Sequence, residues 1–177
     1  FKNRKRFGIF CILMELYSTK QPIFMKKIIT LVGFALCLSL TTSAQNPSII
    51  PIPSQAVYPV GKFTLPASIS ISGPSDSHLK VAYSTLLSKL NKSTGRQVTL
   101  KNSGSATIQL SQINKPSLGA EGYELQVNAK GVSIKANQAA GLFYGVQTLL
   151  QLMPKEIESK TVAIGVQWAI PYVQITD

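Results

Sequence analysis

The chain has 177 residues, of which 45% are hydrophobic and 14% charged. It is too apolar for a disordered protein, too short for a barrel enzyme of about 250 residues, and its two cysteines cannot staple a disulfide scaffold. The net charge of +11 is front-loaded: residues 1–24 carry +4 and residues 25–44 a further +2, and the 11 bases beyond stand singly from Lys62 to Lys160. Nucleic-acid binders gather such charges on one face or helix, so no nucleic-acid partner is expected.

Residues 1–24 begin with Phe1 and lie upstream of Met25. They read as a mis-assigned start or a fragment boundary, the alternative being an unusually long n-region, and are set aside from fold reasoning. Met25-Lys26-Lys27 opens a tripartite export signal. Ile28 to Leu40 is a 13-residue apolar core, and Thr42-Ser43-Ala44 supplies the small residues of a cleavage site. The expectation is a signal peptide over 25–44, cleaved after Ala44, and an exported product, periplasmic or extracellular. Thirteen apolar residues fall short of the roughly 20 needed to span a bilayer, so no stable membrane span is expected after cleavage. Both Cys11 and Cys37 fall before Ala44, which leaves the mature chain without thiols. Lipidation at Cys37 is the minor alternative, disfavoured because Leu36 precedes it.

Residues 45–66 form a Pro-rich, extended lead-in, with Pro47, Pro51, Pro53, Pro59 and Pro66 each fixing φ and removing a donor. An α+β accessory domain is expected over 67–154. It begins with a strand from Ala67 to Ser72 that turns Ile69 and Ile71 inward. Gly73-Pro74 ends it. A helix is predicted over Asp76–Ser93, with Leu79, Ala82, Tyr83, Leu86, Leu87 and Leu90 in one stripe and Gly95 as its stop. Ala106–Ser111 is a second strand. Gly122–Asn128 and Gly131–Asn137 form a hairpin whose register sets Val127 against Val132, Leu125 against Ile134, and Glu124 against Lys135 as a favourable cross-strand ion pair.

Gln138–Met153 is a second helix, with Ala139, Leu142, Phe143, Val146, Leu149, Leu150 and Met153 on its apolar face. Gly141 and Gly145 each cost about 1 kcal/mol in helix propensity relative to Ala, and together make a smooth strip for close approach. Thr161–Val166 and Tyr172–Ile175 read as two further short strands within a linker over 155–177. The class is α+β, a mixed sheet with two helices packed on one face.

Chemistry is scarce. Asp76 reads as a helix cap, Glu124 as a strand surface residue, and Glu156 and Glu158 as linker residues; no two of the six mature carboxylates, with Glu121 and Asp177, are spaced as a catalytic pair. His78 is the only histidine and has too few partners for zinc. It also lacks a nucleophile elbow to serve. No catalytic, cofactor-binding or metal residue is assigned, and no cofactor is expected.

Three stretches carry a resemblance. Ile50-Pro51-Ile52-Pro53-Ser54-Gln55, followed by Gly61-Lys62-Phe63, is similar to the opening of a bacterial β-N-acetylhexosaminidase of glycoside hydrolase family 20. Gly122-Tyr123-Glu124-Leu125 through Ala140-Gly141-Leu142-Phe143-Tyr144-Gly145-Val146-Gln147-Thr148-Leu149-Leu150-Gln151-Leu152 resembles the end of that family's non-catalytic N-terminal domain. Trp168 through Asp177 resembles its linker to a catalytic barrel. The resemblance implies an exported parent that removes terminal N-acetylhexosamine residues from a glycan substrate, using an adjacent Asp-Glu pair in the barrel and the substrate's own acetamido group. It also implies that this domain docks on that barrel within one polypeptide. The chain stops before the barrel, so no catalytic position carries over and the fragment is expected to be inactive. Two alternatives stand beside this: a stand-alone glycan-binding module stacking sugar on Tyr58, Tyr144, Trp168 and Tyr172, and a truncated structural remnant.

Overall fold

Residues Asn46–Asp177 form one compact unit. The computed structural model describes residues 47–73, 80–102 and 104–177. The expected signal segment, Asp76 and His78 lie outside the described residues.

The centre of the domain is the hairpin β6 (Tyr123–Asn128) and β7 (Gly131–Ala136). Its register matches the expectation pair for pair: Val127 opposes Val132, Leu125 opposes Ile134 and Glu124 opposes Lys135. Alternation sets it, because a slip of one residue would turn the buried Tyr123, Leu125 and Val127 to solvent. Glu124 differs in one respect. Its ion pair goes to Lys115, not to Lys135. Asn137 holds Lys115 there by accepting its N–H at 2.7 Å and donating to its carbonyl at 2.7 Å.

Around this hairpin lies a seven-stranded mixed sheet, adding β1 (Gln55–Val57), β3 (Ser68–Ser72), β4 (Gln97–Lys101), β5 (Ile108–Gln112) and β9 (Val173–Thr176). The strand order is β1-β9-β6-β7-β5-β3-β4. The β7-β5-β3-β4 half is parallel and the β1-β9-β6-β7 half antiparallel. A separate two-stranded ribbon pairs β2 (Lys62–Thr64) with β8 (Ala169–Pro171). The stretches expected to be a lead-in and a linker therefore supply β1, β2 and β8 besides β9, which matches the strand expected over Tyr172–Ile175. Proline at the ends of the short strands, as at Pro171, is compatible with such pairing.

Helices α1 (Lys80–Thr94) and α2 (Ala139–Leu152) touch each other and cover the apolar face of the sheet. Ile69, Ile71, Ile108, Leu110 and Ile134 from the strands meet Leu86 and Leu90 of α1 and Leu142, Val146 and Leu149 of α2 in one buried cluster. The α+β class and the shared helix face agree with the sequence pattern. The α1 stripe is narrower than predicted, with Tyr83 and Leu87 only half-buried. Gly95 ends α1 at φ +64°, where a left-handed residue closes a helix without strain.

One strand appears where none was expected, and one expected strand is absent. Strand β4 was not expected; its exposed alternation at the edge of the sheet leaves no inward stripe. Thr161–Val166 is not a strand but an irregular loop turning at Gly165 (φ +78°). Its one backbone tie noted across the fold is Ala163 N–H to Ser93 O at 2.9 Å, and Ile164 is 94% exposed. Alternation alone cannot make a strand without a neighbour to pair.

Candidate functional site

A groove of about 750 Å³ runs beside the outer face of α2. Local sequence explains each wall. The inner face of α2 is drawn so close to the sheet that a Cβ on Gly141 would lie 2.3 Å from Gly122 O, and one on Gly145 2.5 Å from Ile134 Cγ2. That close approach, expected from the glycine spacing, leaves Phe143, Tyr144, Gln147, Thr148 and Gln151 to line the groove. Tyr144 is exposed, and its ring meets Phe143 edge to face at a centroid distance of 5.9 Å.

The opposite wall is the strap 47–57. Ile49 is buried in the core while Ile50 is exposed and, with Pro51, lines the groove. The Gln151 carboxamide grips the Ile50 backbone twice, accepting its N–H at 2.9 Å and donating to its carbonyl at 2.9 Å.

Glu121, Gly122, Tyr123 and Asp177 complete the lining. Tyr123 Oη lies 2.7 Å from Thr148 Oγ1 in a buried pair. Burial pushes the Tyr123 hydroxyl above its ordinary pKa; the Thr148 hydrogen bond opposes this and the Asp177 charge adds to it. Asp177 Oδ1 accepts the N–H and the Oγ–H of Ser54, each at 2.9 Å.

Asp177 is committed to Ser54, Glu124 to Lys115 and Glu158 to Lys89. Glu121 is exposed at the groove and Glu156 sits in the short 3₁₀ helix Lys155–Glu158, which buries Ile157. Among the described residues no three of His, Cys, Asp and Glu gather as metal ligands. The grooved face is instead apolar and aromatic with amide donors, the chemistry of a packing surface.

The proposed stacking set is not one surface. Trp168 is 2% exposed and belongs to the core cluster, and Tyr172 packs over Gly61, where a Cβ would come within 2.3 Å of its ring. Tyr58 is half-buried, its hydroxyl 3.5 Å from Pro47 O, and only Tyr144 of the four faces the groove. Indole burial at the β8 end wins over display, because a large apolar ring near a sheet edge fills the core. The residues that sequence reasoning missed are Gln151, Ser54 and the side-chain role of Asp177. Their partners lie 101 and 123 residues away, beyond any local periodicity.

Comparison with known proteins agrees with this geometry. The sequence model of glycosyl hydrolase family 20, domain 2, matches residues 46–177. A β-hexosaminidase of Porphyromonas gingivalis is 34% identical over 134 residues, which is 73% of this chain and 17% of that protein. The solved N-acetyl-β-hexosaminidase of Streptomyces plicatus superposes with a TM-score of 0.68 at 30% identity, over 73% of this chain and 26% of that one. The chitobiase of Flavobacterium johnsoniae superposes with a TM-score of 0.54 at 26% identity, over 73% of this chain and 20% of that one. The chain thus spans about a sixth of the curated relative and about a quarter of the Streptomyces enzyme.

Proposed function

The chain belongs to glycosyl hydrolase family 20, whose domain 2 occupies residues 46–177, and from that premise we propose that it is the non-reacting accessory domain of an exported β-N-acetylhexosaminidase. In this reading the parent removes terminal N-acetylhexosamine residues from a glycan by a retaining, substrate-assisted mechanism. The acid/base work belongs to a catalytic barrel, and this domain packs its α2 groove against that barrel. Residues 25–44 direct export and are removed after Ala44.

One observation carries the reading. The groove beside α2 presents Tyr144, Phe143 and Ile50, while of the two carboxylates that line it Asp177 is bonded to Ser54 and Glu121 is exposed. An exposed aromatic and aliphatic patch rimmed by Gln147 and Gln151 suits burial against another protein surface. The adjacent Asp-Glu pair that the family's substrate-assisted chemistry uses has no counterpart at this groove, whose two carboxylates are Glu121 and the Ser54-bonded Asp177.

The test is a chimera in which residues 46–177 replace the matching segment of the Porphyromonas gingivalis β-hexosaminidase. The chimera is expected to release a chromogenic aglycone from a β-N-acetylglucosaminide, while the 177-residue chain alone releases none. Hydrogen exchange of 139–152 is expected to slow in the chimera relative to the chain alone. Linear release by the chain alone would overturn the non-reacting assignment, and equal exchange of 139–152 in both would overturn the docking assignment. For export, the secreted product is expected to begin at Gln45; a product that retains Met25 contradicts it.

A further inference from the structure

The strap and the residue after β9 are joined by side chains, not by the core. Strand β1 exposes all three of its residues, so no apolar side chain of its own sets its register on β9. A strand without a buried face is weakly specified and prone to slip. Yet the pairing is definite: Gln55 opposes Thr176, Ala56 opposes Ile175 and Val57 opposes Gln174. The next rung of this antiparallel ladder is Ser54 opposite Asp177. There Asp177 Oδ1 takes both donors of Ser54, N–H and Oγ–H, at 2.9 Å each. Bonds to a charged acceptor are about twice as strong as neutral ones, and a slip of one residue would break both.

Asp177 is itself held in place. Its N–H donates to Tyr123 O at 3.0 Å and its carbonyl accepts the Tyr123 N–H at 2.9 Å. Tyr123 reaches α2 through its hydroxyl, 2.7 Å from Thr148 Oγ1. An unbroken line of contacts therefore runs from strap to β9, to β6, to α2, and Asp177, Tyr123 and Thr148 all face the groove whose other wall is Ile50 and Pro51.

We propose that Asp177 is a positioning residue: its grip on Ser54 pins the β1–β9 register and so holds the strap wall of the groove where the rest of a hexosaminidase docks. The second half of this statement rests on the docking reading above; the first half does not.

Hydrogen exchange read by mass spectrometry separates the two. In the 177-residue chain, Asp177→Ala is expected to speed exchange over 49–57 by about tenfold or more, from the loss of two hydrogen bonds to a charged acceptor. Exchange over 123–136 and 139–152 is expected to stay unchanged. Asp177→Asn keeps an acceptor oxygen and is expected to recover part of the protection, a rescue that general loosening would not show. Ser54→Ala, on an exposed residue remote from the core, gives the same read-out from the other side. Unchanged exchange over 49–57 in both Asp177→Ala and Ser54→Ala overturns the pinning. In the Porphyromonas gingivalis chimera, Asp177→Ala is expected to abolish the protection that 139–152 gains on docking. Full protection there, with 49–57 loosened, overturns the positioning role. Absence of that protection already in the unsubstituted chimera overturns docking, and the positioning role with it, while the pinned register stands.

Discussion

On one side of the groove, α2 lies so near β6 and β7 that Gly141 and Gly145 have no room for a methyl group. On the other, the strap 47–57 is tied to the domain through one buried side chain, Ile49, the short backbone ladder of β1 on β9, and two polar grips, Gln151 on Ile50 and Asp177 on Ser54. The first wall is built by close packing, which is rigid and costly to disturb. The second is built by a few directional bonds at the surface, each modest in net effect. A surface that must receive another protein gains from this division. The packed wall fixes where the aromatic pair Phe143 and Tyr144 stands, and the strap closes the other side without demanding a core of its own.

The sharpest way to break this contrast is to add one carbon to the packed wall. In Gly141→Ala the new Cβ would lie 2.3 Å from Gly122 O and 2.8 Å from Ala136 Cβ, and neither neighbour is the far end of a flexible chain. Alanine gains about 1 kcal/mol of helix propensity, but the overlap forces α2 off the sheet. A net loss of about 2–4 kcal/mol is expected, read as a lower urea midpoint. An unchanged or raised midpoint would mean that α2 lifts freely, and the two walls would then be alike.

The same contrast explains what the sequence disclosed. The β6–β7 register was legible because Tyr123, Leu125 and Val127 must all point one way, and Gly131, at φ +136°, turns the chain between the strands. The approach of α2 was legible from two glycines one turn apart. The outer strands were not. In β1 every residue is exposed, and in β4 only Val98 is even half-buried, so neither leaves an inward stripe to read. β2 hides between Val60 and Pro66 in a proline-rich stretch and finds its partner, β8, more than a hundred residues on. Of the site, Phe143 was legible in the apolar stripe of α2 and Tyr144 only as one of four candidate stacking rings, whereas Ser54, Gln151 and Asp177 gain meaning only when the fold brings them to their partners. The resemblance found the family because it draws on the whole α2 block at once, and that block is where local pattern and packing agree.

A milder change sharpens the contrast at the boundary between the walls. Tyr123→Phe keeps the ring against Gly145 but removes the hydroxyl from Thr148, leaving a buried oxygen without its partner. A loss of about 1–2 kcal/mol is expected. The pH dependence gives a second reading. Burial, chiefly, holds the folded Tyr123 hydroxyl above its ordinary value of 10.0, so the fold binds this proton more tightly than the unfolded chain does. Its contribution is fully present below that unfolded value and is lost as pH rises through the folded one. Urea midpoints of the parent chain are therefore expected to fall above about pH 10, and those of Tyr123→Phe to fall less steeply. Tyr58 and Tyr83, also raised by burial, keep the slope from vanishing. Parallel alkaline declines in the two proteins would place the Tyr123 hydroxyl in water and remove it from the line that joins β6 to α2.

The smallest effect is expected in the loop that the sequence pattern misread. Val162, Ile164 and Val166 alternate as a buried strand face would, yet Ile164 is 94% exposed and the loop turns at Gly165 with φ +78°, a conformation that L side chains seldom adopt. Val162 closes its Cγ1 over Gly95 at the end of α1, and Ala163 and Val166 pack partly against the core, whereas Ile164 does not. If the loop were a strand, Ile164→Ser would empty a core position and cost several kcal/mol, about the 2–5 kcal/mol of a large-to-small core change. As a solvated turn it should cost no more than about 0.5 kcal/mol. A midpoint shift of the larger size would show that Ile164 is covered in solution and that the alternation was a true signal. An unchanged midpoint places the residue with β1 and the strap, among the parts of this domain where exposure, not packing, decides what a substitution does.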